Sequence, residues 1–168
     1  MDHAGKGAGV RIEAPFGGIY LEARHGSLES VVLEPGPQQK CPISLQEADP
    51  GLCDWVAWIL AYLKAPATPP PPIGPGAGTP FQRRVHAALQ TIPAGSVVTY
   101  GQLAQLLGTG PRALAGALRA NRLPLVIPCH RVVAAHSLGG FCGQARGERV
   151  DIKRWLLAHE GAILREDA

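Results

Sequence analysis

No run of apolar residues in this chain approaches the roughly 18 needed to cross a bilayer, and Met1-Asp2-His3 does not open a secretory signal. A soluble, intracellular, cytoplasmic protein is expected. No cysteine pair has CxxC spacing, and Cys41, Cys53, Cys129 and Cys142 are too sparse for a secreted disulfide scaffold. Reduced thiols are the better expectation. No internal repeat is present, which excludes solenoid and propeller arrays. What is present is 168 residues with 46% hydrophobic content, enough for one good core or two small ones.

The net charge of +3 conceals an asymmetry. Met1 to Gly78 holds five Lys/Arg and eight Asp/Glu, a net of −3, whereas Thr79 to Ala168 holds eleven and five, a net of +6. A basic half beside an acidic one points the second half toward a polyanion, because neutralised phosphates dominate nucleic-acid affinity.

Short alternating segments open the chain: Val10 to Glu13, Gly18 to Ala23 and Leu28 to Leu33, with turn signals at Gly17-Gly18 and His25-Gly26-Ser27. They predict a small antiparallel sheet. From Asp54 to Lys64 apolar residues recur at helical spacing, enough to cover one face of that sheet, and Pro66 ends the run. Ala65 to Gly78 is crowded with proline and glycine and reads as a linker, giving a division into residues 1–65, 66–78 and 79–168. His25, Cys41, Cys53 and His86 show no tetrahedral spacing, so no metal is expected.

The second half opens on a marked helix, with Thr79 as N-cap, Pro80 in the first turn and Phe81, Val85, Ala88, Leu89 and Ile92 on one face. Val97-Val98 is extended, Thr99 caps a second helix that Gly108 closes, and a third begins at Pro111. Two short helices joined by Gly108-Thr109-Gly110 suit a helix-turn-helix. On the third helix Arg112, Ala115, Gly116 and Arg119 share one face, while Leu114, Ala117, Leu118 and Asn121 gather opposite. The first face can meet phosphates or bases and lets backbone approach a narrow groove; the second is core.

Chemistry concentrates at Val126-Ile127-Pro128-Cys129-His130-Arg131-Val132-Val133. A thiol with pKa near ~8.5 is mostly protonated at neutral pH, so forming the thiolate costs roughly 2 kcal/mol unless neighbours assist. Contact between Cys129 and His130 requires a turn or an intervening water, because adjacent side chains on a strand oppose one another. Pro128 makes a turn plausible.

Pro-Cys-His-Arg between branched apolar residues resembles the active-site signature of the O6-alkylguanine-DNA alkyltransferases, and the likeness runs from about Thr79 to about Gly161. It implies an α/β N-terminal domain, a small antiparallel sheet with a helix in a ribonuclease H-like arrangement, followed by a mostly α C-terminal domain with a winged helix-turn-helix. It also implies direct-reversal DNA repair: O6-alkylguanine, chiefly O6-methylguanine, with O4-methylthymine as a further candidate, is flipped from duplex DNA, and its alkyl group passes irreversibly to Cys129. Each molecule then reacts once, without a cofactor, as a monomer that can assemble cooperatively on double-stranded DNA, and without a membrane.

The same resemblance assigns roles. Tyr100 matches the tyrosine that meets the extruded guanine, Arg112 the residue that fills the vacated stack and Asn121 the hinge asparagine. Glu160, in Trp155 to Gly161, matches the glutamate that orients the active-site histidine, giving a relay from Glu160 through His130 and a water to Cys129, which stabilises the thiolate. DNA contacts are expected from Thr99, Tyr100, Arg112, Ala113, Ala115, Gly116, Arg119 and Arg131, and a pocket from Val132, Phe141, Cys142 and Gly143. The last helix is expected from Asp151. The chain departs from its relatives at Phe141-Cys142-Gly143-Gln144 and in extra residues before Val150. Two other readings remain: a non-catalytic alkyltransferase-like lesion binder, and a helix-turn-helix regulator.

Overall fold

A computed structural model describes residues 9–37, 49–74 and 78–162, which fall in two compact units, Met1–Pro71 and Pro72–Ala168. Cys41 and linker residues 75–77 lie outside the described residues.

In the first unit β1 (Gly9–Ala14), β2 (Gly17–Arg24) and β3 (Ser27–Pro35) form an antiparallel meander. Alternation sends Val10, Ile12, Ile19, Leu21, Val31 and Leu33 to the buried face. The first turn falls at Pro15-Phe16, one step before the glycines that suggested it, because Gly17 already pairs with Ala14 and Pro35. The second turn is His25-Gly26, both at positive φ, the geometry of a tight hairpin. A 3-10 turn, Pro50–Leu52, is capped by the Asp49 carboxylate, packs on β2 and β3, and leads into α1 (Cys53–Lys64). Trp55, Trp58, Ile59 and Tyr62 form the buried face of α1, and the Trp58 indole donates to the Thr68 carbonyl at 3.0 Å.

The second unit begins with α2 (Pro80–Gln90), which carries a complete capping box between Thr79 and Gln82. Strand β4 (Val98–Thr99) then runs into α3 (Tyr100–Leu107), where Thr99 and Gln102 form a second capping box. Gly108 closes α3 in the left-handed conformation, and α4 (Pro111–Arg119) packs against both α2 and α3 through Leu114 and Ala117. Strand β5 (Val132–Val133) pairs in parallel with β4, matching Val98 to Val132 and Thr99 to Val133. That pairing ties the start of α3 to the residues just after Cys129-His130-Arg131. The chain then forms α5 (Glu148–His159), which starts one turn earlier than Asp151, because Gly147 at φ 93 makes the bend and Glu148 supplies an acid for the first turn. Its inner face buries Val150, Ile152, Lys153, Leu156 and Leu157. No described helix is long and apolar enough to cross a membrane.

Candidate active site

The segment before Cys129 is held by one side chain. Asn121 donates from Nδ2 to the Ile127 carbonyl at 3.0 Å and accepts from the Leu123 amide at 3.0 Å. Pro128 sits at φ −77, ψ 66 and the Cys129 amide donates to the Ile127 carbonyl at 2.7 Å, so the backbone makes an inverse γ-turn at proline. One 3-10 turn, Cys129–Arg131, follows. At three residues per turn the three side chains leave about 120° apart and meet three different surroundings.

The Cys129 thiol borders a cavity of about 210 Å³, walled on one side by Tyr100, Ala115, Leu118 and Arg119 and on the other by Gly140 to Ala145. Among the described residues no carboxylate lines it. His130 is fully buried, with Nε2 2.8 Å from the Glu160 carboxylate. A carboxylate only accepts, so Nε2 carries the proton and Nδ1 is left as the lone-pair nitrogen. Nδ1 is buried and has no hydrogen-bond partner among the described residues.

Arg131, expected on the DNA side, turns inward instead. Its Nε and Nη2 clamp Glu160 at 3.0 and 2.8 Å, and Nη1 donates to the Ile92 carbonyl at 2.5 Å. The partner lies 29 residues away in sequence and was invisible to a local reading. Val132 is likewise not part of the cavity wall: it is fully buried, and its carbonyl accepts from Lys153. Thr99 directs its hydroxyl to the Gln102 amide as a helix cap. Leu118, expected in the core, lines the cavity. Arg112, Ala113, Gly116 and Arg119 are exposed on α4, with Ala115 half-buried at the cavity.

Lys153 is the residue that sequence reasoning missed. Its side chain is fully buried, its Nζ donates to the Val132 carbonyl at 2.6 Å and the Gly140 carbonyl at 3.0 Å, and it lies 5.9 Å from the centre of the Tyr100 ring. Burial pulls the ammonium down to about 8, with the two nearby thiols opposing that effect. A lysine in an amphipathic helix reads as solvent-facing, and only its position in the register of Ile152 and Leu156 hinted otherwise.

Electrostatics correct one expectation. Burial, then the neighbouring Cys142, pushes the Cys129 thiol up to about 12, against smaller opposing effects of the Asn121 hydrogen bond and Lys153. The resting group is therefore held as a thiol rather than a stabilised thiolate. Burial also lowers His130, outweighing the pull of Glu160, which keeps the imidazole neutral and able to accept a proton. Tyr100 is raised by burial and then by Cys129, so its phenol stays protonated; its hydroxyl donates to the Gly140 carbonyl at 3.4 Å.

Gly139 permits this closeness. It has φ 70, and a Cβ there would lie 2.9 Å from the Tyr100 ring. Cys53, Cys129 and Cys142 are free thiols, and among the described residues no group of three or more His, Cys, Asp or Glu could hold a metal.

Residues 80–162 match the family described as 6-O-methylguanine DNA methyltransferase, DNA binding domain. The crystal structure of Mycobacterium tuberculosis O6-methylguanine methyltransferase superposes with a TM-score of 0.67 at 30% identity, covering 90% of each chain. This chain belongs to the O6-methylguanine methyltransferase family. The Pyrococcus kodakaraensis O6-methylguanine-DNA methyltransferase is similar too, with a TM-score of 0.63 at 25% identity over 91% of this chain and 98% of that one. A further structure shows the M. tuberculosis protein in complex with DNA. Among curated relatives, the methylated-DNA--protein-cysteine methyltransferases of Shigella flexneri and Salmonella typhimurium are 48% and 49% identical over 89 residues, 52% of this chain. The chain spans about half the length of these curated relatives, 50% in each case.

Proposed function

We propose that the protein repairs O6-alkylguanine in duplex DNA by moving the alkyl group onto its own Cys129. The observation that carries this is one acid-free cavity that brings the Cys129 thiol together with Tyr100 and the α4 arginine Arg119. The O6 atom of guanine is inside the stacked duplex, so chemistry there requires rotating the nucleotide into a pocket. Phe141 and Tyr100 offer aromatic surface to such a base.

In the reaction the Cys129 proton passes to His130 Nδ1, directly or through a water, and sulfur displaces guanine O6 from the alkyl carbon. The S–C bond forms as the C–O bond breaks. Glu160 holds the imidazole by accepting from Nε2 and stabilises the imidazolium, while Arg131 clamps the same carboxylate in place. Tyr100 supplies a proton toward the departing guanine, and Asn121 fixes the turn that presents sulfur. A raised thiol means that attack depends on this proton transfer, with the reacting geometry reached when the base fills the cavity. The thioether is stable, so each molecule acts once, on methyl groups chiefly, with no cofactor.

On the same reading, residues 79–168 form the DNA-binding and transfer domain, a winged helix-turn-helix with α4 in the minor groove, Arg112 occupying the emptied stack, and Ala113, Ala115, Gly116 and Arg119 against the backbone. Residues 1–65 form a ribonuclease H-like domain joined through 66–78. The DNA complex of the M. tuberculosis relative supports the partner.

The test is Arg112→Ala. A wedge residue matters only when a base must leave the stack, so repair of O6-methylguanine in duplex is expected to slow far more than reaction with free O6-benzylguanine. Equal slowing of both would contradict the role.

A further inference from the structure

The departure after Phe141 gives the cavity a second rim. Phe141 and Gln144 exchange backbone hydrogen bonds of 2.8 and 3.0 Å around Cys142 and Gly143, whose φ values are 47 and 81. Two consecutive residues at positive φ make a tight type I′ turn. From Gly143 to Glu148 every residue is exposed, yet Gly143, Gln144 and Ala145 also border the cavity, so the segment forms the cavity's edge. Across the opening stands α4, whose Arg119 borders the same cavity and would lie 3.9 Å, at Cγ, from a Cβ on Gly143.

Within this exposed edge, Arg146 directly follows Ala145, the last residue that lines the cavity. Among the described residues, the arginines with no hydrogen-bond or ion-pair partner are Arg112 and Arg119 on α4 and Arg146 on the rim. The others are engaged: Arg11 with Glu13 and Glu34, Arg24 with Glu29, Arg131 with Glu160, Arg154 with Asp151. Arg83 and Arg84 bond to carbonyls, Arg149 bonds to the Cys142 side chain, and Arg122 has a contact of its own. Glu148, the acid of the rim, makes no ion pair with Arg146. Arg119 thus borders the opening on the α4 side, and the exposed Arg146 follows directly on Ala145, the last residue of the opposite wall. Unpaired cations therefore belong to both segments that flank one opening, an arrangement that attracts a polyanion.

We propose that Arg146 is a DNA-positioning residue that takes a backbone phosphate beside the flipped nucleotide, on the side of the opening away from α4. This deepens the DNA-repair reading and rests on it. A rotated nucleotide stays attached to its flanking phosphates, which must remain at the pocket mouth. Cations on α4 alone would hold the strand along one side; a guanidinium on the rim, donating to phosphate oxygens, fixes it from the other.

Binding of the full chain to an O6-methylguanine duplex across a salt series counts phosphate contacts, since each contributes about 0.9 to the slope of log K against log salt. Arg146→Ala is expected to reduce that slope by about one contact and to weaken binding, while Arg146→Lys keeps the slope. Arg154→Ala, at a paired and exposed site on α5, serves as the control and keeps the original slope. An unchanged slope in Arg146→Ala, or an equal loss in Arg154→Ala, overturns the assignment. Slope lost in Arg112→Ala and Arg119→Ala but kept in Arg146→Ala removes this contact alone. A flat salt response of the unaltered chain removes the DNA reading beneath it.

Discussion

The two units treat charge in opposite ways. In the first, charged side chains neutralise one another near the surface: Arg11 with Glu13 and Glu34, Arg24 with Glu29. The one buried polar residue described there, Ser30, donates to Glu22. The second unit buries His130, Lys153, Glu160 and the Cys129 thiol, and among the described residues its Arg112, Arg119 and Arg146 have no hydrogen-bond or ion-pair partner. Buried ionisable groups cost stability unless fully hydrogen-bonded, and unpaired surface cations add repulsion. A fold with no task would be expected to resemble the first unit throughout. The second breaks local rules where the chemistry is placed, and that is where function belongs.

Substituting carboxylates sharpens this contrast most. Glu160 accepts from both His130 and Arg131 in a buried site, so Glu160→Ala leaves an unpaired buried guanidinium and is expected to cost about 3–5 kcal/mol of unfolding free energy, with loss of transfer activity. Glu34, whose side chain is 46% exposed, is expected to cost under about 1 kcal/mol when replaced by alanine. Denaturant unfolding reads both, and similar costs would erase the distinction between the units.

Next in size is the pH dependence of the buried thiol. Cys129 lies well above the usual thiol range, so at neutral pH only a trace is ionised and each unit of added pH raises that trace about tenfold. Alkylation of Cys129 by iodoacetamide, followed by peptide mass spectrometry without DNA, is expected to climb steeply from pH 7 to 8. It should climb less steeply above about 8, as Lys153 loses the charge that favours the thiolate. Exposed Cys53 in the first unit provides the reference. A Cys129 rate already level by pH 7 would mean that the resting sulfur is a thiolate and that the proton-transfer account is wrong.

How much the sequence revealed follows the range of the interactions involved. Capping boxes at Thr79 and Thr99, the left-handed Gly108 and the alternation in β1 to β3 are local, and were legible because a few adjacent residues determine them. The turn at Pro128 was legible for the same reason. What escaped depends on distant partners: Arg131 reaching Glu160, Lys153 reaching the Val132 and Gly140 carbonyls, Leu118 facing a cavity whose opposite wall lies more than twenty residues on. The first hairpin was placed one step late because Gly17 looks like a turn residue, although its neighbours Glu34 and Gly36 leave no room for a side chain in a paired strand. The direction of the Cys129 shift was likewise inaccessible, since burial, which dominates it, is a property of the assembled unit.

The most direct test is the intact mass of the protein after incubation with duplex DNA carrying O6-methylguanine, followed by peptide mapping. The account predicts a gain of one methyl group per molecule, located on Cys129 and absent in Cys129→Ser. A protein that binds this duplex yet gains no mass, or that carries the methyl on Cys142, would contradict it.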